Sequence, residues 1–517
     1  MTFDNTHYYR ITTHVSGKGY ALDVSADGSG RVMLSEPAES SGQFWKLAPI
    51  SDSHYALRTA YLGDGLSLAM DNQRSVCLRP TDPSPSQSWN LQPNNSGTST
   101  LINEQTGPQT CLRLKGQAVV TTRQAAGRPR HPRWTFTKLT PIPEQAAIPE
   151  LKRARDVYCP EGCTDFTFYA RPAGTLKAVM LFVDFPDAPA GTCSASDTAN
   201  HLLGNGQAQQ LFQDQSCGTF DLTVDVLAHL GWRRLAQSSS DYNCHDFTSH
   251  RQYITDAAAL FAGEISFSSY QFVLIVAPPT ATFPDSPAFN AGPGQGAPSA
   301  GGEIRLAVTF GQDSYRNSYI NLVHEVSHLI GLPDLYPYGA SANTSRAGCW
   351  DLMSDIFHCT TFLGWHRHKN GWLDASRTIY LSESPQERYI TLTPLSSLHG
   401  ISLIVLPIDD PQCPSRVFVL ELAQPMEGAA NEGRREGVLV YSVTSTVPTG
   451  QSPIVVHPKT VSESPEQGYL YEAPYGVGHS ASVVDGNSRL TLTVLQQFGS
   501  CYHLKLGYVR QYKDRGP

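Results

Sequence analysis

The sequence has little charge and no long hydrophobic run. Only 16% of the 517 residues are charged, the net charge is −8 and no basic run stands out, which argues against nucleic acid or an anionic membrane as the main partner. No apolar stretch reaches the roughly 18 residues of a membrane span. The first residues, MTFDNTHYYR, lack the basic and apolar regions of a secretory signal. We therefore expect a globular chain that is cytoplasmic or exported without a leader.

The cysteines leave the redox compartment open. An odd number of cysteines, eleven, leaves at least one thiol unpaired if the others form intrachain bridges. Cys159 with Cys163, and Cys349 with Cys359, are close enough in sequence for local disulfides. Buried thiols are the alternative interpretation. The first of these pairs has no second ligand pair beside it, so we expect no structural zinc there.

The segment QDSYRNSYINLVHEVSHLIGLPDLY, residues 312–336, combines a helical pattern with metal-ligand spacing. Its apolar residues recur at helical intervals, which predicts a helix that begins at Asp313 or Ser314. Gly331 permits the turn that ends this helix. The same residue lets the chain reverse behind the helix.

Four residues of this segment predict a catalytic metal centre. His324 and His328 are one helical turn apart, so their imidazoles project side by side, as two ligands of one zinc ion must. Glu325 can reach a water at the metal without being a ligand, which is the position of a general base. Asp334 can swing back as the third ligand and leave the fourth position to water. The unit reads His-Glu-x-x-His-x-x-Gly-x-x-Asp.

This pattern is followed by the segment GCWDLM at residues 348–353, and the combination resembles the M6 peptidases. These are the immune inhibitor A group of secreted bacterial metalloproteases, which are metzincin-like. The resemblance covers about residues 170 to 445 and includes three further stretches: AVMLFVDFPD (178–187), SCGTF (216–220) and FSSYQFVLIV (267–276).

The resemblance implies an α/β (α+β) zincin domain that hydrolyses peptide bonds in a protein or peptide substrate with one Zn²⁺. Met353 would form the hydrophobic floor of a Met-turn under the metal. Asp351 and Asp355 are alternatives for the third ligand, and two tyrosines near the motif, Tyr336 and Tyr338, are candidates for stabilising the oxyanion. The resemblance is also compatible with an accessory Ca²⁺ ion.

Residues 1 to about 140 contain a threefold repeat. Each repeat closes on a tryptophan, Trp45, Trp89 or Trp134, preceded in the first two by Gln-x. An apolar triplet stands ahead of each tryptophan: LDV, LAM and LRL. This organisation resembles the ricin B-type β-trefoil lectins, although the third repeat lacks the Gln. We expect the three tryptophans in the core rather than in sugar platforms.

In that lectin family, an aspartate after the first strand of a repeat holds the sugar. Asp23 keeps this residue, whereas Ala69 and Arg113 stand at the matching positions of the other repeats. The first repeat also lacks the expected aromatic residue. The resemblance therefore implies at most one glycan site, at Asp23.

The sequence thus predicts a multidomain chain: a trefoil at 1–140, a linker at 141–170, a catalytic domain at 171–375 and a β-rich, sandwich-like region at 376–517. The function implied is a zinc endopeptidase with a lectin-like domain that targets it to glycans or glycoproteins. The alternative is a carbohydrate-binding lectin, or a lectin-type toxin, with an inactive peptidase-like domain.

Overall fold

The computed structural model describes most of the chain, and every structural statement below refers to its described residues. These are residues 3–15, 17–25, 29–38, 41–51, 53–94, 97–108, 110–115, 118–123, 133–141, 148–152, 159–339, 345–384, 386–397, 400–423, 436–459 and 470–510. The predicted linker therefore lies in part outside the described residues. Within them, no helix is both long and apolar enough to cross a membrane.

Six of the first twelve strands close into a barrel. Antiparallel pairs join β12 to β1, β1 to β4, β4 to β5, β5 to β8 and β8 to β9, and a bridge between Ser99 and Trp134 completes the ring. The twelve strands are β1 His7–Val15, β2 Lys18–Val24, β3 Val32–Ser35, β4 Trp45–Ser51, β5 His54–Thr59, β6 Leu66–Met70, β7 Val76–Pro80, β8 Trp89–Pro93, β9 Ser99–Asn103, β10 Thr110–Lys115, β11 Ala118–Arg123 and β12 Thr135–Pro141.

The other six strands form three hairpins, one in each sequence repeat. The hairpins are β2–β3, β6–β7 and β10–β11. Each hairpin pairs with the next through one backbone bridge, and the three bridges are Arg31 with Cys77, Ser75 with Val120 and Ala118 with Met33. A six-stranded barrel with a triplet of hairpins is a β-trefoil. The fold predicted from the tryptophan repeat is confirmed.

The three repeat tryptophans lie in equivalent places in the trefoil core. All three are fully buried, and each indole Nε1 donates to a carbonyl oxygen of the apolar triplet in its own repeat. The pairs are Trp45 to Leu22 at 2.9 Å, Trp89 to Leu68 at 2.8 Å and Trp134 to Leu112 at 3.3 Å. The prediction that they are core residues is confirmed.

The middle of the chain forms a mostly parallel sheet in the order β14-β13-β16-β20-β17, with β15 added to β13. Only β17 runs antiparallel. Apolar runs at 176–185 and 270–276 predict buried strands from the sequence, and they correspond to β13 and β16. The strands are β13 Gly174–Asp184, β14 Phe220–Val226, β15 Arg233–Arg234, β16 Phe272–Val276, β17 Ala288–Asn290, β18 Ala297–Ser299, β19 Gly302–Ile304 and β20 Leu306–Phe310.

Residues 278–302 are rich in Pro, Gly and Ala and have no periodic pattern, so the sequence alone predicts a long loop. The structure instead has β17, β18 and the first residue of β19 there. The expectation was wrong because strands of three residues are too short to give a periodic pattern in sequence.

Helices cover both faces of this sheet. Side chains on β13 alternate between the two faces: Met180 packs in one core with α1, α2 and α5, and Val179 packs in the other with α3. The helices are α1 Ala195–Leu203, α2 Gln207–Gln215, α3 Phe247–Ala259, α4 Ser314–Asn317, α5 Tyr319–Leu329 and α6 Gly364–Lys369.

The predicted helix from Asp313 or Ser314 to Gly331 is two helices, α4 and α5. Ser318 separates them with φ of 56°, a conformation that the α-helix does not contain. Its hydroxyl donates to His201 O at 2.6 Å, which supplies a tertiary partner for the break. A single periodic pattern runs through this position, so the sequence did not reveal it.

The last region has two sheets that share one hydrophobic core. Their orders are β21-β23-β24-β25-β26 and β22-β29-β28-β27. The other face of the first sheet belongs to the same core as α5. The strands are β21 Thr378–Tyr380, β22 Gln386–Leu392, β23 Leu403–Pro407, β24 Arg416–Ala423, β25 Gly437–Thr444, β26 Ile454–Val456, β27 Ser480–Asp485, β28 Ser488–Phe498 and β29 Cys501–Arg510.

Candidate metal centre and active site

The structure brings the three predicted ligands together. Nε2 of His324 lies 3.1 Å from Oδ1 of Asp334, and Nε2 of His328 lies 3.4 Å from the same oxygen. Gly331 has φ of +93°, and a Cβ there would lie 2.6 Å from Thr164 Cγ2. The chain therefore reverses at this glycine, as predicted, and carries Asp334 back over α5.

The other ring nitrogen of each histidine faces a backbone carbonyl. Nδ1 of His328 is 2.8 Å from Leu332 O, and Nδ1 of His324 is 3.4 Å from Leu352 O. A carbonyl oxygen can only accept, so this arrangement assigns the ring protons to Nδ1 and leaves the Nε2 lone pairs directed at Asp334.

These residues fit a divalent zinc ion. Oδ1 of Asp334 is buried and, among the described residues, has no assigned hydrogen-bond donor. In the neutral tautomers above, two imidazole nitrogens and this oxygen direct three lone pairs at one point. Without a metal, a proton lies there instead: burial lowers the pKa of His328, but Asp334 outweighs it and raises this pKa well above its ordinary value. Zinc takes this N/O ligand set in catalytic sites, with three protein ligands.

Charge also favours a cation here. Burial raises the pKa of Asp334, but His328 and His324 outweigh it and hold this pKa well below its ordinary value. The aspartate is therefore ionised although its side chain is almost completely buried. A buried carboxylate needs a positive partner; protonated His328 and His324 supply it without a metal, and a divalent cation bound to the neutral imidazoles would take their place.

Glu325 lies beside the two histidines, close enough for the three side chains to hold one metal ion. One of its carboxylate oxygens lies within 4.8 Å of a ring nitrogen of both His324 and His328. Burial raises the pKa of Glu325 to about 7, although the neighbouring imidazoles lower it. A carboxyl group with such a pKa can both accept and return a proton near neutral pH.

The second oxygen of Asp334 is held by protein donors. Oη of Tyr338 donates to Oδ2 at 2.6 Å and lies 3.3 Å from Oγ1 of Thr449. The backbone N–H of Asp334 donates to the same Oγ1 at 2.9 Å. Oδ1 is thereby directed at the histidines. Thr449 was not expected from the sequence, because 115 positions separate it from Asp334 and no local pattern marks it.

The two tyrosines proposed as oxyanion stabilisers have different surroundings. The ring of Tyr336 stacks on His324, with centroids 6.4 Å apart and an interplanar angle of 29°. The hydroxyl of Tyr338 donates to Asp334. Burial, and then the charge of Asp334 and a hydrogen bond to it, raise the pKa of Tyr336 well above its ordinary value. The role of either in catalysis stays a prediction.

Two of the carboxylates considered as alternative ligands have other partners. Asp351 accepts from the N–H of Met353 at 2.8 Å and that of Leu363 at 2.7 Å, and lies 2.8 Å from Nδ1 of His366. Asp355 lies 2.8 Å from Nδ1 of His358. Of the three candidate aspartates, Asp334 is the one the structure places against both motif histidines.

The turn that carries Met353 is anchored by buried charges. Met353 is fully buried in the core that contains α5, and its carbonyl accepts from Leu335 N at 3.0 Å. Asp351 of this turn is joined by His366 to Glu161, 2.9 Å from Nε2. All three charged side chains have no exposed surface. Sequence analysis missed His366 and Glu161, whose contact joins segments that are distant along the chain.

The centre lies in an open cleft of about 850 Å³. Glu325 and the three predicted ligands line it, and Phe357 and Tyr338 line it with exposed aromatic rings. Asp285 and Asp313 also line the cleft. A cleft of this size falls within the range of ligand-binding sites.

The predicted glycan residue, Asp23, makes hydrogen bonds within the trefoil. Its carboxylate accepts from Val24 N at 2.8 Å, from Gln43 Nε2 at 3.0 Å and from the hydroxyl of Ser35. Only 8% of the residue is exposed. Nothing in this geometry tests its role towards a sugar.

No protein-family model and no curated protein matches the chain. Solved structures match its N-terminal region. The designed three-fold symmetric protein ThreeFoil is 20% identical over 26% of this chain and 99% of its own, with a TM-score of 0.22. A Polyporus squamosus lectin is 19% identical over 27% of this chain and 51% of its own, with a TM-score of 0.23. SeviL, bound to asialo-GM1 saccharide, is 14% identical over 26% of this chain and 99% of its own, with a TM-score of 0.22.

Proposed function

We propose that this chain is a zinc-dependent endopeptidase of the M6-like, metzincin-like type. The observation that carries the proposal is the convergence of His324 Nε2, His328 Nε2 and Asp334 Oδ1 beside Glu325 in an open cleft. Three protein ligands and an adjacent carboxylate are the parts that metal-assisted hydrolysis requires.

In this mechanism, His324, His328 and Asp334 would hold the metal, and Glu325 would accept and return the proton. Bound zinc supplies a Lewis acid that polarises the scissile carbonyl and lowers the pKa of a water. Glu325 takes the proton of that water as it attacks and passes it to the leaving amine. The position of Glu325 beside the two histidines is what suits it to both transfers, because a general base must lie within reach of the proton that it takes.

The direct test uses the full-length protein. We expect about one zinc per chain after dialysis, and casein hydrolysis that a chelator stops and added zinc restores. Mass spectrometry measures the zinc content, and release of fluorescent peptides from labelled casein measures the hydrolysis. A protein that retains no zinc, or that cleaves casein equally with chelator present, would overturn the proposal.

A second candidate function is glycan binding by the trefoil, with Asp23 as the predicted sugar-binding residue. Its carboxylate is joined to Gln43 and Ser35 in the one repeat that keeps the aspartate, and a carboxylate can accept hydrogen bonds from sugar hydroxyls. We expect weak binding of the full chain to galactose- or N-acetylgalactosamine-type glycans, lost in Asp23→Ala. If the wild-type protein binds no glycan on an array, the trefoil has a structural or protein-binding role instead.

The same experiments separate the enzyme from a lectin or lectin-type toxin with an inactive peptidase-like domain. Such a protein would bind glycans and fail to cleave casein with zinc present.

A further inference from the structure

The C-terminal sheet reaches the metal centre through one turn. This turn connects β25 and β26, and its residues Thr449 and Gly450 contact the segment that carries Asp334. Three hydrogen bonds with backbone groups join the two segments. Asp334 N donates to Thr449 Oγ1 at 2.9 Å, Gly450 N donates to Asp334 O at 3.0 Å, and Tyr338 N donates to Gly450 O at 2.9 Å.

The side chains complete the contact. Tyr338 gives its hydroxyl proton to Asp334 Oδ2, at 2.6 Å, so its oxygen can accept from the Thr449 hydroxyl, 3.3 Å away. The ring of Tyr338 lies on Gly450, where a Cβ would be 2.3 Å from Cδ2 of the ring. Gly450 has φ of +70°, so glycine is required there for both space and backbone conformation.

We propose that Thr449 is a positioning residue for the third metal ligand, and that the turn of the C-terminal sheet is part of the metal centre. The hydroxyl of Thr449 accepts from the ligand's own N–H and supports the tyrosine that fixes Oδ2. With two such restraints, Oδ1 is held towards Nε2 of both histidines before the metal arrives. The proposal rests on the proposed zinc site.

The expected consequence concerns metal affinity. Groups that orient a metal ligand typically change affinity about 10- to 100-fold when they are removed. Thr449→Val keeps the volume of the side chain and removes the hydroxyl, so we expect zinc affinity about tenfold weaker. Thr449→Ser restores the hydroxyl and should restore most of this affinity.

The experiment measures zinc dissociation constants of full-length protein by competition with a chromogenic chelator. Thr446→Val is the matched control, because Thr446 lies exposed in the same turn. The metal-free thermal melt of each variant is recorded alongside, and equal melts with weaker zinc binding separate positioning from general destabilisation.

The outcomes distinguish the two proposals. If wild type binds no zinc, the proposed function fails. If wild type binds zinc and Thr449→Val binds it equally, or if Thr446→Val loses as much affinity, the positioning role is wrong. If Thr449→Val does not fold, Tyr338→Phe removes the hydroxyl from the same contact and keeps the ring on Gly450, and unchanged zinc affinity in that variant would overturn the proposal.

Discussion

At the scale of single residues, two buried glutamates have similar acidity and different surroundings. Burial raises the pKa of both Glu325 and Glu421 to about 7. Glu325 lines the cleft beside the two histidines, whereas Glu421 accepts hydrogen bonds from Gly364 N and Tyr441 Oη in the core. A raised pKa alone therefore does not identify a catalytic group; access to the cleft does.

We predict that Glu325→Gln keeps its zinc and its fold but loses peptide hydrolysis by about 100- to 10,000-fold, since the amide cannot accept a proton. Turnover of a fluorogenic peptide and zinc content measure this. Glu421→Gln is the matched control, with the same substitution and similar burial, and should retain turnover at temperatures where it is folded. Near-normal activity of Glu325→Gln would mean that another group is the base.

The choice of Asp334 as the third ligand also belongs to this scale. We predict that Asp334→Ala loses both zinc affinity and activity, because two imidazoles cannot complete a tight site. Asp355→Ala, which changes another carboxylate that lines the cleft, should keep its zinc. Zinc titration of both variants distinguishes the two carboxylates. Loss of zinc affinity in Asp355→Ala but not in Asp334→Ala would identify Asp355 as the third ligand.

At the scale of elements, local features of the site could be read from the sequence and distant ones could not. The spacing of His324 and His328 on α5, and the reversal at Gly331, depend on neighbours in the chain. The contacts of Thr449 and of Glu161 join segments far apart in sequence. They depend on how the sheets pack, which a periodic pattern does not encode. The three trefoil repeats are the exception, because repetition itself reveals long-range order.

The contact between α6 and the turn of Met353 is ionic and fully buried. Burial lowers the pKa of His366, but Asp351 and Glu161 outweigh it and raise this pKa from 6.5 to about 10. The folded pKa lies above the unfolded one, so the ion pairs stabilise the fold fully below pH 6.5. This contribution is lost as the pH rises through about 10.

We predict that His366→Asn lowers the free energy of unfolding by about 3 to 5 kcal/mol at pH 6, because it leaves two buried carboxylates short of a partner. The loss should be smaller at pH 10, where His366 of wild type has partly given up its proton. Urea unfolding at both pH values measures this. His368→Asn on the same helix should show a smaller loss without this pH dependence. An equal loss for His366→Asn at both pH values would contradict the assignment.

At the scale of the whole molecule, the trefoil packs against the C-terminal sheets. Phe44, between Gln43 and Trp45, is almost completely buried. Its ring centroid lies 5.5 Å from that of His503 on β29, edge to face, and 6.3 Å from that of Tyr389 on β22. The equivalent positions in the other repeats are Ser88 and Arg133. The threefold symmetry is therefore broken at the repeat that faces the sheet.

This asymmetry predicts which substitution weakens the contact between the two regions. Phe44→Ala should lower the free energy of unfolding by about 3 to 5 kcal/mol, as loss of a buried aromatic ring does. Arg133→Ala, at the equivalent and exposed position of the third repeat, should change it by less than about 0.5 kcal/mol. Denaturant unfolding, with hydrogen exchange at β22 and β29, measures both. Equal effects of the two substitutions, or unchanged exchange at these strands in Phe44→Ala, would show that Phe44 serves the trefoil core alone.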